Sequence, residues 1–167
     1  MAKTLVTDYT RCHGCQICET ICSMTSKMNK GTSQPRVTSV TWDLEGRGVS
    51  IICQHCQDAP CMAVCPTRAI YRDKNFNRVM VSYDHCIGCR ICVAVCPFGA
   101  MGFDGEARKI VKCDLCDGDP LCVKMCPYGA LQYEDANDQR ITKNIKLAEM
   151  LREMLLSGKT ESQVKPT

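Results

Sequence analysis

The chain carries sixteen cysteines, and their spacing leaves few folds open to it. They fall into four groups of four. Cys12, Cys15, Cys18 and Cys22 are spaced C-x2-C-x2-C-x3-C, and Cys86, Cys89, Cys92 and Cys96 repeat that pattern with a proline after the last. Cys53, Cys56, Cys61 and Cys65 follow C-x2-C-x4-C-x3-C-P, and Cys113, Cys116, Cys122 and Cys126 follow C-x2-C-x5-C-x3-C-P. None is left over for a separate cysteine nucleophile.

Three closely spaced thiolates wrap one face of a compact metal body, and a fourth on a short helical turn points away from it. In two-cluster ferredoxins that fourth cysteine ligates the other cluster. Pro66, Pro97 and Pro127 end the turn, because proline lacks the N–H that would continue it. Gly14 and Gly88 lie inside the ligand loops, where the backbone must bend sharply towards sulfur. Structural zinc sites instead take two C-x-x-C pairs set apart by a longer spacer. The sixteen thiols therefore predict four [4Fe–4S] clusters.

Composition supports metal as the organiser. One Trp, three Phe and five Tyr in 167 residues supply little for an ordinary core, and chains with poor cores are held by disulfides or metal. The N-terminal MAKTLVTDYTRC shows no apolar h-region, twin arginine or cleavage pattern, so a cytoplasmic location is expected. No apolar run reaches bilayer length. Among reduced thiols, metal is favoured over eight disulfides. The formal charge of +3 omits the thiolates. A cubane core of 2+ with four thiolates is 2−, so four sites bring the holoprotein to about −5. Without a basic stripe, nucleic-acid binding has no support.

The groups are internal repeats: CIGCRICVAVCPFGAM and CDLCDGDPLCVKMCPYGAL match beyond their cysteines, and CQHCQDAPCMAVCPTRAI nearly as well. Short alternating segments separate them. Val79–Tyr83 is one, and Met101–Phe103 turning at Asp104-Gly105 into Lys109–Lys112 is another; both read as small hairpins. Leu5–Asp8 and Ala130–Tyr133 are suited to pair the ends of one unit. An insertion over Met24–Gly48 begins with SMTSKMNKGTSQP, read as an exposed loop, and continues as a strand over Arg36–Trp42, with Trp42 a packing residue. From Asp138 to Leu156, Ile141, Ile145, Ala148, Leu151 and Leu155 form one stripe of an amphipathic helix. That stripe either covers its own core or docks a partner or a second copy of the chain. Residues 158–167 read as a flexible tail.

With CQHCQDAPC, CIGCRICVAVCPFGA and KCDLCDGDPLCVKMCP in this order, the sequence resembles the electron-transfer subunits of dimethyl-sulfoxide-reductase-type complexes. Small relatives of these serve hydrogenases, carbon monoxide dehydrogenases and tungsten aldehyde oxidoreductases. The resemblance covers roughly residues 4–134. It implies an α+β fold of two interlocked ferredoxin-like two-cluster modules over residues 1–135, followed by the helix (136–157). It also implies crossed ligation. Cys12, Cys15, Cys18 and Cys126 would hold a first cluster, and Cys113, Cys116, Cys122 and Cys22 a second. Cys53, Cys56, Cys61 and Cys96 would hold a third, and Cys86, Cys89, Cys92 and Cys65 a fourth. The implied function is non-catalytic: a relay of single electrons between a catalytic oxidoreductase subunit and a second redox partner. A tungsten or molybdenum aldehyde oxidoreductase is weakly preferred as the catalytic partner. The alternatives are a hydrogenase or carbon monoxide dehydrogenase partner, or a free polyferredoxin.

Other residues have smaller expected roles. His13, His55 and His85 adjoin ligand cysteines and are read as hydrogen-bonding or solvent-facing rings. Phe98 and Tyr128 are expected to shield clusters. Lys112, Arg90, Arg68 and Lys124 stand beside the cysteine runs, either as solvated charges or as cations that favour the extra electron. No Ser/His/Asp set, P-loop or G-x-G-x-x-G is present, so no substrate, flavin or nicotinamide site is expected.

Overall fold

A computed structural model describes residues 3–30, 34–41 and 48–135. These form four two-stranded antiparallel sheets and four helices. The strands are β1 (Lys3–Thr7), β2 (Val37–Thr41), β3 (Gly48–Ile52), β4 (Ile70–Asp73), β5 (Arg78–Val81), β6 (Met101–Asp104), β7 (Lys109–Lys112) and β8 (Leu131–Asp135). The helices are α1 (Ile17–Lys30) and the single turns α2 (Pro60–Ala63), α3 (Ile91–Ala94) and α4 (Leu121–Lys124).

Each single-turn helix carries the third cysteine of its group and releases the fourth just before proline. After that proline, Arg68, Gly99 and Gly129 take positive φ, and each donates its N–H back to the carbonyl of the fourth cysteine at 3.2 Å. The hairpins β4–β5 and β6–β7 are also copies of one design. Asp73 accepts from the N–H of Asn75, and Asp104 from those of Glu106 and Ala107. Asn77 and Arg108 close the two turns at positive φ. The outermost strands pair too, with Leu5 opposite Tyr133, as the alternation at the two ends suggested.

The loop expected from Ser23 onward is in part helix. Group one has Ser23 where the other groups have proline, so nothing stops the turn after Cys22 and α1 continues to Lys30. Its inner face carries Cys18, Ile21, Cys22 and Ser26, at the i, i+3, i+4 spacing of one helical stripe. Glu19, in the first turn, accepts the N–H of Ser39 at 2.9 Å and ties β2 to the helix. Trp42, the amphipathic stretch over 136–157 and the tail over 158–167 lie outside the described residues.

Two apolar clusters form. Leu5, Cys18, Val37, Ile52, Leu115 and Leu131 are buried together with residues of groups one and four. Ala59, Ile70, Val79, Cys92, Met101 and Ile110 are buried with residues of groups two and three. The short helices and hairpins thus present their cysteines towards two small cores.

Candidate metal centres

Sixteen free thiols surround four cavities, four to each. Cys12, Cys15, Cys18 and Cys126 line one, and Cys22, Cys113, Cys116 and Cys122 another. Cys53, Cys56, Cys61 and Cys96 line a third, and Cys65, Cys86, Cys89 and Cys92 the fourth. In each, three thiols come from one group and the fourth from a distant one. Helix α1 makes the exchange plain: Cys18 and Cys22 stand one turn apart, about 6 Å along the axis, and face different cavities. Three cavities span about 300, 320 and 350 Å³ with the solvent at their mouths included. The one lined by Cys22 opens further, past Thr25 and Asp119, to about 1120 Å³.

The ligand loops share one backbone device. The residue two after the first cysteine has positive φ in all four: Gly14, His55, Gly88 and Leu115. Glycine takes this conformation freely, whereas Leu or His is held in it at about 1–2 kcal/mol. In group four the left-handed stretch runs from Leu115 to Gly118, so the chain around Cys116 coils opposite to an ordinary helix. The resulting turns aim N–H groups at sulfur. Arg36 donates to Cys22 Sγ at 3.2 Å, Leu115 to Cys113 Sγ at 3.5 Å, and Ala130 to Cys126 Sγ at 3.3 Å.

Burial opposes thiolate formation in the metal-free protein. It pushes the Cys122 thiol up to about 12, helped by Cys116, Cys22 and Cys18 nearby, and Cys92 up to about 11. Cys113 is raised as well, again chiefly by burial. Cys65 goes the other way: its slight burial is outweighed by hydrogen bonds from the Ile70 backbone, Thr67 and the Ala69 backbone. Such thiols deprotonate when a cationic iron core compensates them. The converse signal is Lys112, 3 % exposed, whose Nζ lies 3.0 Å from Cys53 Sγ. Among the described residues no carboxylate pairs with it, so it fits an anionic site. Four-thiol cavities with inward N–H donors and a buried ammonium fit [4Fe–4S] clusters.

Residues 45–136 match the model of the 4Fe-4S dicluster domain. The chain belongs to that family. The match takes in the second, third and fourth cysteine groups, with the first lying before it. Among curated proteins, the chain is 38% identical over 112 residues to the electron transport protein HydN of Escherichia coli, covering 60% of this chain and 59% of HydN. It is 38% identical to the thiosulfate reductase electron transfer subunit PhsB of Salmonella typhi, covering 64% of this chain and 58% of that one. Formate hydrogenlyase subunit 2 of Escherichia coli is 37% identical, over 64% of this chain and 50% of its own. The chain thus spans less than two thirds of the length of these relatives. It is an iron–sulfur protein with [4Fe–4S] clusters as cofactors.

In this dicluster-domain chain, the three histidines are hydrogen-bonding or solvent-facing rings, as expected. His55 is buried, and its Nδ1 accepts the Val79 N–H at 3.0 Å. His13 is exposed with its ring against Tyr128, 4.4 Å between centroids, and the exposed His85 bonds Ser82. Phe98 and Tyr128 line cavities as expected, though each keeps much of its ring in solvent. Of the four neighbouring cations only Lys112 is buried. Arg90 lies over the Phe103 ring and Lys124 pairs with Asp119. Sequence reasoning missed Arg36 and Asp114, a buried pair in the wall of the Cys22 cavity. It also missed Arg78, which reaches Asp73, Asp117 and the Asp114 carbonyl. Both arginines precede strand valines, and nothing in their neighbours marked them as inward-facing.

Proposed function

We propose that the chain is a non-catalytic electron-transfer subunit that relays single electrons along four [4Fe–4S] clusters. The observation that carries the reading is the exchange of Cys22, Cys65, Cys96 and Cys126 between cavities. It supports the crossed ligand sets: Cys126 with Cys12, Cys15 and Cys18; Cys22 with Cys113, Cys116 and Cys122; Cys96 with Cys53, Cys56 and Cys61; Cys65 with Cys86, Cys89 and Cys92. In this reading residues 1–135 are two interlocked modules, the outer built from groups one and four and the inner from groups two and three. Bound in these sites, each cluster supplies a one-electron couple.

The protein's own part is to hold thiolates, exclude water and aim dipoles. Leu5, Ile110, Leu115 and Val79, almost wholly buried, keep the site walls dry and the local dielectric low, which strengthens each N–H···S contact. Cys15 and Cys89 are the exposed thiols, one in each of two cavities, and the other two cavities hold none. The cavities of Cys15 and Cys89 therefore suit the two ends of the relay, with the other two between them.

Relatives are named as parts of a formate hydrogenlyase, a thiosulfate reductase and, at 34% identity over 108 residues, an arsenate respiratory reductase of Shewanella. None of these names supports an aldehyde oxidoreductase. We therefore infer a catalytic partner of the hydrogen-linked or anaerobic-reductase kind, with the free polyferredoxin as the alternative. Among the described residues no helix is long and apolar enough to cross a membrane. Cys126→Ser tests the ligand sets: it should perturb the cluster of Cys12, Cys15 and Cys18 more than that of Cys113, Cys116 and Cys122. The reverse, by EPR and Mössbauer spectroscopy, rules the crossing out. Recovery from native cells solely as a small monomer would rule out the subunit reading.

A further inference from the structure

Lys112 ends β7, and Cys113, its neighbour, opens the fourth ligand group. Its side chain runs inward and meets three acceptors: Cys53 Sγ at 3.0 Å, the Cys113 carbonyl at 3.3 Å and His55 Nδ1 at 3.4 Å. An ammonium has three N–H donors; two have acceptors of their own and the third shares the His55 Nδ1 lone pair with the Val79 N–H. Cys53 lines one cavity and Cys113 another. The cation therefore stands at the junction between the two halves of the molecule.

The other two buried cations are neutralised within the protein: Arg36 by Asp114, Arg78 by Asp73 and Asp117. Lys112 has no carboxylate partner among the described residues. His55 does not balance it, since its Nδ1 already accepts the Val79 N–H and serves Lys112 as an acceptor only. Among the described residues Cys53 is the thiol that receives its hydrogen bond, and the other three cavities lack an equivalent unpaired buried cation.

We propose that Lys112 is a positioning residue for electrons, making the cluster of Cys53, Cys56, Cys61 and Cys96 the first of the four to be reduced, so that electrons gather at the junction of the modules. The proposal rests on the ligand sets given above. In the step, one electron passes from a one-electron donor to that site and oxidises the donor. The site charge goes from 2− to 3−, no proton is taken up, and Lys112 keeps its three N–H bonds. A cation hydrogen-bonded to the thiolate stabilises the added charge, and at an effective interior dielectric of about 20 this is worth about one to two powers of ten in the reduction equilibrium.

The test uses the full chain, purified anaerobically and titrated with reduced viologens under EPR. In Lys112→Met the first reduction should become at least tenfold less favourable, about 59 mV for a one-electron couple. Iron and sulfide contents should be unchanged, and Lys112→Arg should stay near wild type. A Lys112→Met protein with four clusters and an unmoved first potential overturns the proposal. If Lys112→Met loses a cluster, wild-type protein labelled with 15N at lysine Nζ decides. The first electron should show lysine-nitrogen hyperfine coupling, and its absence overturns the proposal. Iron and sulfide short of four clusters in the wild type would instead overturn the underlying reading, and the proposal with it.

Discussion

Arg36 and Asp114, 78 residues apart in sequence, close a buried ion pair of 2.8 Å in the wall of the cavity that gathers Cys22, Cys113, Cys116 and Cys122. Both residues also shape the thiol positions. The Arg36 N–H reaches Cys22 Sγ, and the other Asp114 oxygen accepts the Cys116 N–H at 3.0 Å. Asp114→Ala should therefore cost about 3–5 kcal/mol, the usual penalty for stranding a buried charge. It should also loosen the Cys113–Cys116 loop. Anaerobic denaturant titration would give the first effect and iron retention under a chelator the second.

Stability should fall in acid through His55. Burial first, then Lys112 and Arg78, lower its pKa from 6.5 to about 3. The folded state thus binds fewer protons than the unfolded state between those values. The stabilisation is present above pH 6.5 and is lost as pH falls towards 3, reaching about 2 kcal/mol of loss by pH 5. His55→Asn keeps an acceptor for Val79 and tolerates the positive φ. Its denaturation midpoint should fall less between pH 7 and pH 5 than that of wild type.

Two glycines should respond differently to alanine. At Gly88, φ +68, an added Cβ meets nothing closer than 3.5 Å, so the cost is the left-handed backbone alone, about 1–2 kcal/mol. At Gly118, φ +98, the Cβ would stand 2.7 Å from the Phe76 ring, which packs beneath Arg78. Gly118→Ala should cost more, and Phe76→Leu in the same chain should recover part of the loss. Anaerobic thermal melts of the three variants beside wild type would measure this.

Loading should depend on pH. Cys92, Cys113, Cys116 and Cys122 are all raised by burial, and each must lose a proton to bind iron. Reconstitution of the metal-free chain should proceed faster at pH 8.5 than at pH 6.5, followed by its visible absorbance. Chelation should in turn remove much of the secondary structure seen by circular dichroism.

The metal chemistry was legible in the sequence because a cluster demands several thiols at short, fixed spacings. The β6–β7 hairpin was legible because Asp104-Gly105 breaks its strand alternation, and β5 because Val79 and Val81 alternate, whereas β4 was not read. Helix α1 was hidden by its polar composition, yet Ser23 in the place of a proline was a readable sign that the turn continues. The inward course of Lys112 and Arg36 was not readable. Either side chain is long enough to snorkel to solvent, and only the pairing of distant segments determines which acceptor it meets. His55 took a position that glycine fills in two other groups, so its role came from the backbone it tolerates as well as from its ring.

The pairing of β1 with β8 has a consequence for biosynthesis. Every thiol of the proposed inner module has left the ribosome once Cys96 has, and its hairpins once Lys112 has. The first strand meanwhile waits for a partner that ends at Asp135. Chains fold as they are made, at about 5–20 residues per second, so the inner sites are ready for iron several seconds before the outer ones close. Nascent chains arrested with Lys112 outside the ribosome and Cys126 still inside it should already hold iron at Cys53 and Cys86 and leave Cys12 open to alkylation. With the proposed ligand sets, the middle of the chain should be metallated first, and the N-terminal thiols, translated earliest, should be the last protected.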